Sequence, residues 1–297
     1  MANNTLAAQK PKFSMAIKSD MYQNLIKQTL GNPKKAERYT AAIMSAVATN
    51  PQLQKCEAKT ILSGSLLAES LNLAHSPQLG HYYLVPFNNR KQGTTEAQFI
   101  LGYKGYIQLA ARSGNYKHIN VMEIKDGELV SYNPFDEDIV LKPIQDVDER
   151  EKTPTIGYYA MFEYVNGFKK VLYWSKAQML AHADRYSPAF NKASYEKLLN
   201  GEIPDKDLWK YSSFWYKDFD GMAKKTMLRQ LISKWGVMST EMVQAIDTDN
   251  SVIRIDKGNF AAEIPENENL SDDNADAPED NTEPETNDPE EVNFDEL

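Results

Sequence analysis

The sequence of 297 residues has one cysteine, four histidines and no apolar run close to the ~20 residues that cross a bilayer. A single cysteine cannot form an internal disulfide, and its apolar surroundings predict that Cys56 is a packed thiol in a helix rather than a nucleophile. The histidines lack the spacing of zinc ligands, and none of the 14 glycines precedes a lysine, which excludes a phosphate-binding P-loop. Residues 1–13 also lack the apolar run of a secretory signal. These absences indicate a soluble cytoplasmic protein with neither a metal centre nor a nucleotide cofactor.

The acidic residues are concentrated at one end of the chain. Residues 263–297 hold 15 of the 42 aspartates and glutamates and no lysine or arginine. Without them the formal net charge changes from −9 to +6, so residues 1–262 form a mildly basic body. A basic body indicates a polyanionic partner, and an acidic tail competes for that body or recruits other proteins. A tail that only improves solubility explains the same distribution.

Helical patterns dominate the first third of the chain. Ser19 or Asp20 begins a segment that Gly31 ends, and a second segment runs from Asn32-Pro33 toward Asn50-Pro51. Residues 57–73 follow as an apolar helix that we expect to be buried.

The middle of the chain carries the patterns of strands. Three antiparallel hairpins are predicted, each with a turn-forming sequence between two strand patterns. Their strands are 81–87 with 96–101, 119–125 with 128–132 around Asp126-Gly127, and 156–165 with 168–174 around Asn166-Gly167. Both Xaa-Gly dipeptides favour a type I′ turn, and residues 142–154 read as a charged surface loop bounded by prolines.

Helix returns after Ser175, with a long helix from Asp218 or Asp220 to Trp235-Gly236 and a short one capped by Ser239. The pattern predicts an α+β fold with a helical N-terminal part and central antiparallel hairpins packed with helices. We divide it into a partly flexible N-terminal segment (1–30), a core (31–260) and an acidic tail (261–297). The tail has too few apolar residues to fold, so we expect it to be disordered.

A glycine-flanked helix after the first hairpin carries a cationic stripe. At ~100° per residue, Lys104, Gln108 and Arg112 share one polar face that places the two cations about 12 Å apart. Glycines beside Tyr103 allow the close approach of a backbone or a phosphate. Lys117 and His118 extend the positive charge into the next strand, although a solvated helix face explains the stripe equally well.

A second cationic cluster lies on the long late helix, near Trp215. Lys225 and Arg229 are four residues apart, on a face predicted to point outward. Lys224 instead falls on the apolar side, where a lysine either snorkels to solvent or reaches into a groove between helix and sheet. A cation-lined groove with Tyr103, Phe87 or Trp215 nearby suits a single nucleic-acid strand, because lysines meet phosphates and aromatic rings meet bases.

Three motifs in this order and spacing resemble the RecT family of phage single-strand annealing recombinases, within the RecT/Red beta superfamily. They are Gly80-His81-Tyr82-Tyr83-Leu84-Val85-Pro86-Phe87, Gly102-Tyr103-Lys104-Gly105 with Arg112-Ser113-Gly114, and Met222-Ala223-Lys224-Lys225-Thr226 with Arg229. The resemblance covers roughly residues 30–240. It makes the 31–260 core a module for binding and annealing single-stranded DNA.

The resemblance implies an oligomeric ring or filament that pairs complementary strands without nucleotide hydrolysis and without catalytic residues, in a bacterial host of a phage or prophage. It makes Lys104, Arg112, Lys224, Lys225 and Arg229 candidate contacts to the DNA backbone. Mg²⁺ is expected only to modulate DNA binding. A companion exonuclease and a host single-strand binding protein become candidate partners.

Two other functions compete with this interpretation. Glu123-Ile124-Lys125 resembles half of a metal-dependent nuclease site, but Glu96 is the only acidic residue between Glu69 and Glu123, so an upstream carboxylate is missing. A structural adaptor protein would use the basic surface to bind an acidic protein.

The acidic tail has two possible binding roles of its own. It competes with DNA for the basic groove, or its apolar residues Val292, Phe294 and Leu297 dock on a partner. A solvated tail without docking is the third possibility.

Overall fold

Helices and antiparallel strands alternate along the part of the chain that the computed structural model describes, residues 12–89, 92–256 and 259–264. The α-helices are α1 (Phe13–Ala16), α2 (Asp20–Leu30), α3 (Pro33–Ala48), α4 (Ala58–Ser70), α5 (Tyr103–Arg112), α6 (Val147–Lys152), α7 (Lys176–Tyr186), α8 (Lys192–Leu199), α9 (Phe214–Lys217), α10 (Phe219–Trp235) and α11 (Thr240–Asp247). The strands are β1 (Tyr82–Asn89), β2 (Thr94–Leu101), β3 (Tyr116–Lys125), β4 (Leu129–Asn133), β5 (Asp138–Leu141), β6 (Thr155–Tyr164), β7 (Lys169–Ser175), β8 (Ser251–Asp256) and β9 (Asn259–Glu263). Short 3₁₀ helices span Leu53–Lys55, Pro77–Leu79 and Asp205–Lys210. The α+β class predicted from the sequence is confirmed.

The helix ends in the N-terminal part follow the capping signals of the sequence. Ser19 precedes α2, and Gly31 ends it with a left-handed φ of 62°. The side chain of Asn32 accepts hydrogen bonds from the backbone of α3, which begins at Pro33. Within the predicted flexible segment, Phe13 and Ile17 are buried in the core, whereas residues 1–11 lie outside the described part.

Cys56 is buried as predicted, but it follows a 3₁₀ turn instead of lying inside an α-helix. Burial, with smaller contributions from Glu57 and Glu96, raises the pKa of the thiol to about 12. In the described ranges no helix is long and apolar enough to cross a membrane.

The first sheet has the strand order β1-β2-β8-β9, and every neighbouring pair is antiparallel. The β1–β2 hairpin confirms the first predicted hairpin, with Tyr82 opposite Leu101 at its base. Arg90 and Lys91 at its tip lie outside the described residues. Strand β9 continues to Glu263, past the predicted start of the tail at residue 261, and the predicted tail from 265 onward is likewise outside the described part.

The second sheet has the order β3-β6-β7 and contains the predicted hairpin around Asn166-Gly167. The hairpin predicted around Asp126-Gly127 is wrong, because β3 pairs with β6 while β4 pairs with β5 in a separate two-stranded sheet. A type I′ turn needs positive φ at both central residues, and in each dipeptide only the glycine has it. The backbone N–H of Asp126 instead donates to the carbonyl of Pro154, which extends the β3–β6 pairing by one residue beyond Lys125.

The prediction of an irregular loop over residues 142–154 is also wrong, because it contains α6. The side chain of Asp146 caps this helix by accepting a hydrogen bond from the Glu149 N–H. Arg150 then anchors it, donating to the Glu128 carboxylate at 2.7 Å and to the Glu123 carbonyl at 2.9 Å. A long-range ion pair therefore stabilises a helix whose own apolar content is low.

Helix α10 lies between two hydrophobic cores. The first core joins the N-terminal helices and α5 to the first sheet, and the second joins β6 to α7, α8 and α9. Leu228 and Ile232 of α10 pack in the first core, while Met227 and Leu231 pack in the second. A helix covered on two sides has little solvent-facing surface, and this decides what its lysines can do.

Candidate nucleic-acid interface

Helix α5 begins where two chain segments touch. A Cβ atom added at Gly102 would lie 2.1 Å from the Gly80 carbonyl oxygen, and one added at Gly105 would lie 2.2 Å from the His81 carbonyl oxygen. Both glycines are therefore required by the close approach of the 80–81 backbone. This packing fixes the start of α5 beside the base of the first hairpin.

The predicted polar stripe of α5 faces solvent. Lys104 and Gln108 are exposed, and Lys104 forms no ion pair with any described residue. Arg112 is exposed as well, and its guanidinium donates to the carbonyls of Leu71 and Asn72 at 2.6 and 3.1 Å. It therefore caps the end of α4 while it retains its positive charge.

The stretch of the chain that contains α5 carries almost no negative charge. Glu96 is the only acidic residue in 70–122, a stretch that includes five lysines and arginines. Its side chain is 2% exposed and accepts a hydrogen bond from Arg254 at 2.7 Å. Burial acts to raise the pKa of Glu96, but hydrogen bonds from Asn89 and Arg254 keep it below its ordinary value. No carboxylate of this stretch is therefore available at the surface.

Two aromatic side chains lie on the outer face of β1, and Tyr83 is the one beside the stripe. Successive residues of a strand alternate between its faces, so Tyr82 is buried while Tyr83 and Phe87 are half-buried on the other side. The hydroxyl of Tyr83 would lie 3.0 Å from a Cβ added at Gly80, and its ring contacts Phe214. We call this surface, made of Lys104, Gln108 and Arg112 with Tyr83 and Phe87, the α5 face.

Tyr83 was not singled out from the sequence, although the alternation of buried and half-buried positions in β1 is a signal that would have identified its face. Burial raises its pKa, as do the nearby Asp218 and Tyr103, so the hydroxyl stays protonated. Its ring is partly open to a ligand, whereas Trp215, which the sequence analysis proposed beside Tyr103 and Phe87 as a contact for bases, is buried in the second core against Phe190 and Phe219.

Lys224 of α10 contacts residues of both β3 and α5. Its ammonium lies 3.2 Å from Oε2 of Glu123 on β3 and 5.0 Å from the ring centroid of Tyr103 on α5. Lys224 thus reaches into the groove between helix and sheet rather than snorkelling to solvent. Burial acts to raise the pKa of Glu123, but a backbone hydrogen bond and Lys224 lower it below the ordinary value.

The predicted outward face of α10 is wrong. Lys225 is buried, with its ammonium 2.8 Å from the carboxylate of Asp249, and Arg229 lies 3.4 Å from the same group. Asp249 is fully buried and also accepts a hydrogen bond from the backbone N–H of Leu101 at the end of β2. This triad holds α10 to the first sheet. Only the chain fold brings Asp249 here, so no local pattern identified it.

The last predicted cation, Lys117, is exposed on β3 and forms an ion pair with Glu163 on the neighbouring strand at 2.5 Å. The hydrogen bond from Lys117 lowers the pKa of Glu163. A surface pair of this kind is weak and exchanges readily with solvent ions. Lys117 is thus exposed, but with a competing carboxylate beside it.

The residues of the nuclease-like motif have other partners. Glu123 binds Lys224, while the ammonium of Lys125 is buried and donates to the Thr155 hydroxyl at 3.0 Å. Thr155 and Tyr158 both donate to Asp220 of α10. Among the described residues there is no group of three or more potential metal ligands. This polar cluster links β3 and β6 to α10.

Together these contacts separate the predicted cations into two groups. Those on α5 are exposed and form no ion pair with a described residue, so phosphates can approach them and half-buried rings can stack on bases. Those on α10 are bound to carboxylates of their own chain.

Comparison with known proteins gives consistent matches over this region. The protein-family model described as "RecT family" matches residues 37–264, from within α3 to β9. "Uncharacterized protein YqaK" of Bacillus subtilis (strain 168) is 38% identical over 248 residues, which cover 82% of this chain and 76% of that protein. "Protein RecT" of Escherichia coli (strain K12) is 27% identical over 217 residues, which cover 72% of this chain and 71% of that protein.

Proposed function

The chain belongs to the RecT family, and we propose that it binds single-stranded DNA on the α5 face, assembles on it as an oligomer and anneals complementary strands without ATP. Proteins of this family act in DNA recombination by single-strand annealing and are not classical enzymes. The observation that supports the α5 face is the absence of exposed carboxylates from the stretch of residues 70–122.

The physical role of this surface is to screen phosphate repulsion. Lys104 and Arg112 neutralise phosphates and release counterions, while Tyr83 and Phe87 offer ring surfaces to bases of any sequence. Pairing and stacking supply about 1.4 kcal/mol per base-pair step, so annealing needs no nucleotide hydrolysis. Because the protein contacts the sugar-phosphate backbone without regard to base sequence, two bound strands can shift along each other until their bases pair.

We expect Lys224 to contact DNA only where a phosphate displaces Glu123 from its ammonium. Its partner Glu123 is about one-quarter exposed, so a phosphate that enters the groove beside Tyr103 competes with that carboxylate for the ammonium. We assign Lys225 to the support of α10, because burial against Asp249 removes it from reach of DNA. Arg229 supports the helix through the same carboxylate, although about one-fifth of its side chain is exposed.

The test is rapid mixing of two complementary labelled oligonucleotides without ATP, using wild type and Lys104→Glu. We expect the wild type to accelerate annealing and to leave both strands uncut, and we expect the charge reversal to remove most of the acceleration. Lys197→Glu, at an exposed position on α8, is the matched control and should anneal normally. Equal annealing by the two variants would remove the α5 face from the mechanism. Cleaved strands would favour a nuclease, and no effect of wild type on annealing would favour an adaptor.

A further inference from the structure

The tip of the β4–β5 hairpin presents an aromatic side chain that the fold does not use. Phe135 is 94% exposed, the highest value for any large apolar side chain among the described residues. The tip is nevertheless well held, because the Asn133 side chain accepts a hydrogen bond from the Phe135 N–H and donates to Asp136. Glu137 ties it to β7 through Lys170 and the N–H of Val171. An ordered, exposed phenyl ring is a pre-formed contact group.

The charged residues of this hairpin are all acidic. Residues 129–141 contain Asp136, Glu137 and Asp138 and no lysine or arginine. Asp138 is exposed beside the ring, and so is Asp136. Such a tip repels DNA, so its partner is a protein surface that combines an apolar cavity with cations.

The chain carries a surface of that kind where two N-terminal helices meet β8. A cavity of 270 Å³ lies between α2, α4 and β8, and its apolar wall includes Tyr22, Leu25, Leu62 and Ile253. A benzene ring fits an engineered cavity of about 150 Å³, so a phenyl side chain fits here. The volume is below the roughly 300 Å³ lower limit of typical small-molecule pockets.

Two cations line the same cavity. Lys59 is exposed and forms no ion pair with a described residue. Arg254 binds Glu96 and Glu263 through Nη2 and Nε, whereas its Nη1 is buried and has no hydrogen-bond partner in the described ranges. A buried donor without an acceptor is costly, and an incoming carboxylate would satisfy it.

We propose that the hairpin tip of one copy inserts Phe135 into this cavity on the next copy, with Asp136 or Asp138 against Lys59 and Arg254. The contact joins two different surfaces of the chain, so it is heterologous and repeats from copy to copy, as a ring or a filament requires. This inference rests on the proposed assembly of the protein and specifies the surfaces that would form it.

The first experiment measures the mass distribution of the full chain on single-stranded DNA by mass photometry. We expect Phe135→Asp to raise the protein concentration needed for assembly at least 30-fold, roughly the effect of losing an aromatic hot spot. Trp209→Asp, at an aromatic residue outside this hairpin that is 72% exposed, is the matched control and should assemble like the wild type. Thermal melts should be unchanged for Phe135→Asp, because the side chain makes no core contact.

The second experiment tests the pairing of the two surfaces. Lys59→Glu should also prevent assembly, and adding Asp136→Lys to the same chain should restore it. Mixing the Phe135→Asp and Lys59→Glu chains should give dimers and nothing larger, because each chain keeps one intact surface.

The outcomes separate the contact from the proposed function. Wild-type oligomers that Phe135→Asp and Lys59→Glu leave unchanged would overturn the contact alone. A wild type that remains monomeric on DNA would overturn both the contact and the proposed assembly. Loss of assembly in Phe294→Ala but not in Phe135→Asp would identify the C-terminal end of the chain as the occupant of the cavity.

Discussion

Helices α5 and α10 carry cations at similar helical spacings, yet the fold uses them differently. Helix α5 borders one core and exposes its other side, so the ammonium of Lys104 is open to solvent. Helix α10 packs into both cores, so the side that carries Lys225 has no solvent to reach. The number of packed sides, rather than the residue type, determines whether a lysine is available to a ligand.

The energetic reason is the cost of removing a charge from water. A buried ammonium is tolerated only with a carboxylate and further hydrogen bonds, and Asp249 supplies these to Lys225. An exposed ammonium has no such cost and keeps its full charge for a phosphate. We therefore expect substitutions in the α10 ion pairs to lower the stability of the fold, and substitutions of the α5 cations to lower DNA affinity.

The largest expected effect is on stability. Asp249→Ala leaves Lys225 buried without its partner, so the free energy of unfolding should fall by about 3–5 kcal/mol. Lys104→Ala should change it by less than about 0.5 kcal/mol, because an exposed helix residue is replaced by a good helix former. Urea denaturation followed by circular dichroism measures both. Equal losses of unfolding free energy in the two variants would contradict the difference in burial between Lys225 and Lys104.

The second expected effect is on DNA affinity. Combining Lys104→Ala with Arg112→Gln removes two phosphate contacts, and the glutamine keeps a donor for the α4 carbonyls. Each contact contributes about 0.7 to the logarithmic salt slope, or about 5-fold in affinity at 0.1 M salt, so the double variant should lose about 25-fold. Fluorescence anisotropy of a labelled oligonucleotide at several salt concentrations measures affinity and slope together. A weaker affinity with an unchanged slope would show that neither residue contacts phosphate.

A smaller effect on DNA affinity, this time an increase, is expected where Lys224 of α10 lies beside Tyr103 of α5. Glu123→Gln removes the carboxylate that binds Lys224, so the freed ammonium becomes available to a phosphate. Affinity for single-stranded DNA should rise by up to about 5-fold at 0.1 M salt, with a steeper salt slope. Adding Lys224→Met to this variant should abolish the gain. A gain that survives the second substitution would come from general charge removal rather than from Lys224.

The features that the sequence predicted correctly all depend on residues that are close together in the chain. The ends of α2, α3, α10 and α11 followed from capping residues, and the stripe on α5 followed from its periodicity. The partners of α10 could not be predicted, because Asp249 lies 24 residues beyond Lys225 and Glu123 lies 101 residues before Lys224.

The errors in strand pairing have a similar cause. Asp126-Gly127 has the composition of a hairpin turn, but β3 pairs with β6, whose first pair joins Tyr116 to Tyr164, 48 residues further along the chain. Arg150 of α6 binds Glu128, the residue after this dipeptide. Long-range pairing therefore overrode a local turn signal. The roles of Lys104, Arg112, Lys117, Phe87 and the other proposed DNA contacts stay predictions until they are measured.

The smallest expected effect is a change in the pKa of His81, which lies at the start of α5 and senses its cations. Burial lowers this pKa below its ordinary value, and Arg112 and Lys104 lower it further. The backbone N–H of Ala74 donates to Nδ1, so the neutral ring carries its proton on Nε2. Removing either cation should move the pKa upward, and so should bound DNA, because phosphates neutralise the same charges. An NMR titration of the His81 ring measures the shift, with His182, which stacks on Trp174, as the reference in the same spectra. A His81 pKa that rises in Arg112→Gln but stays constant when DNA binds would place the phosphates away from α5, even if the protein anneals DNA.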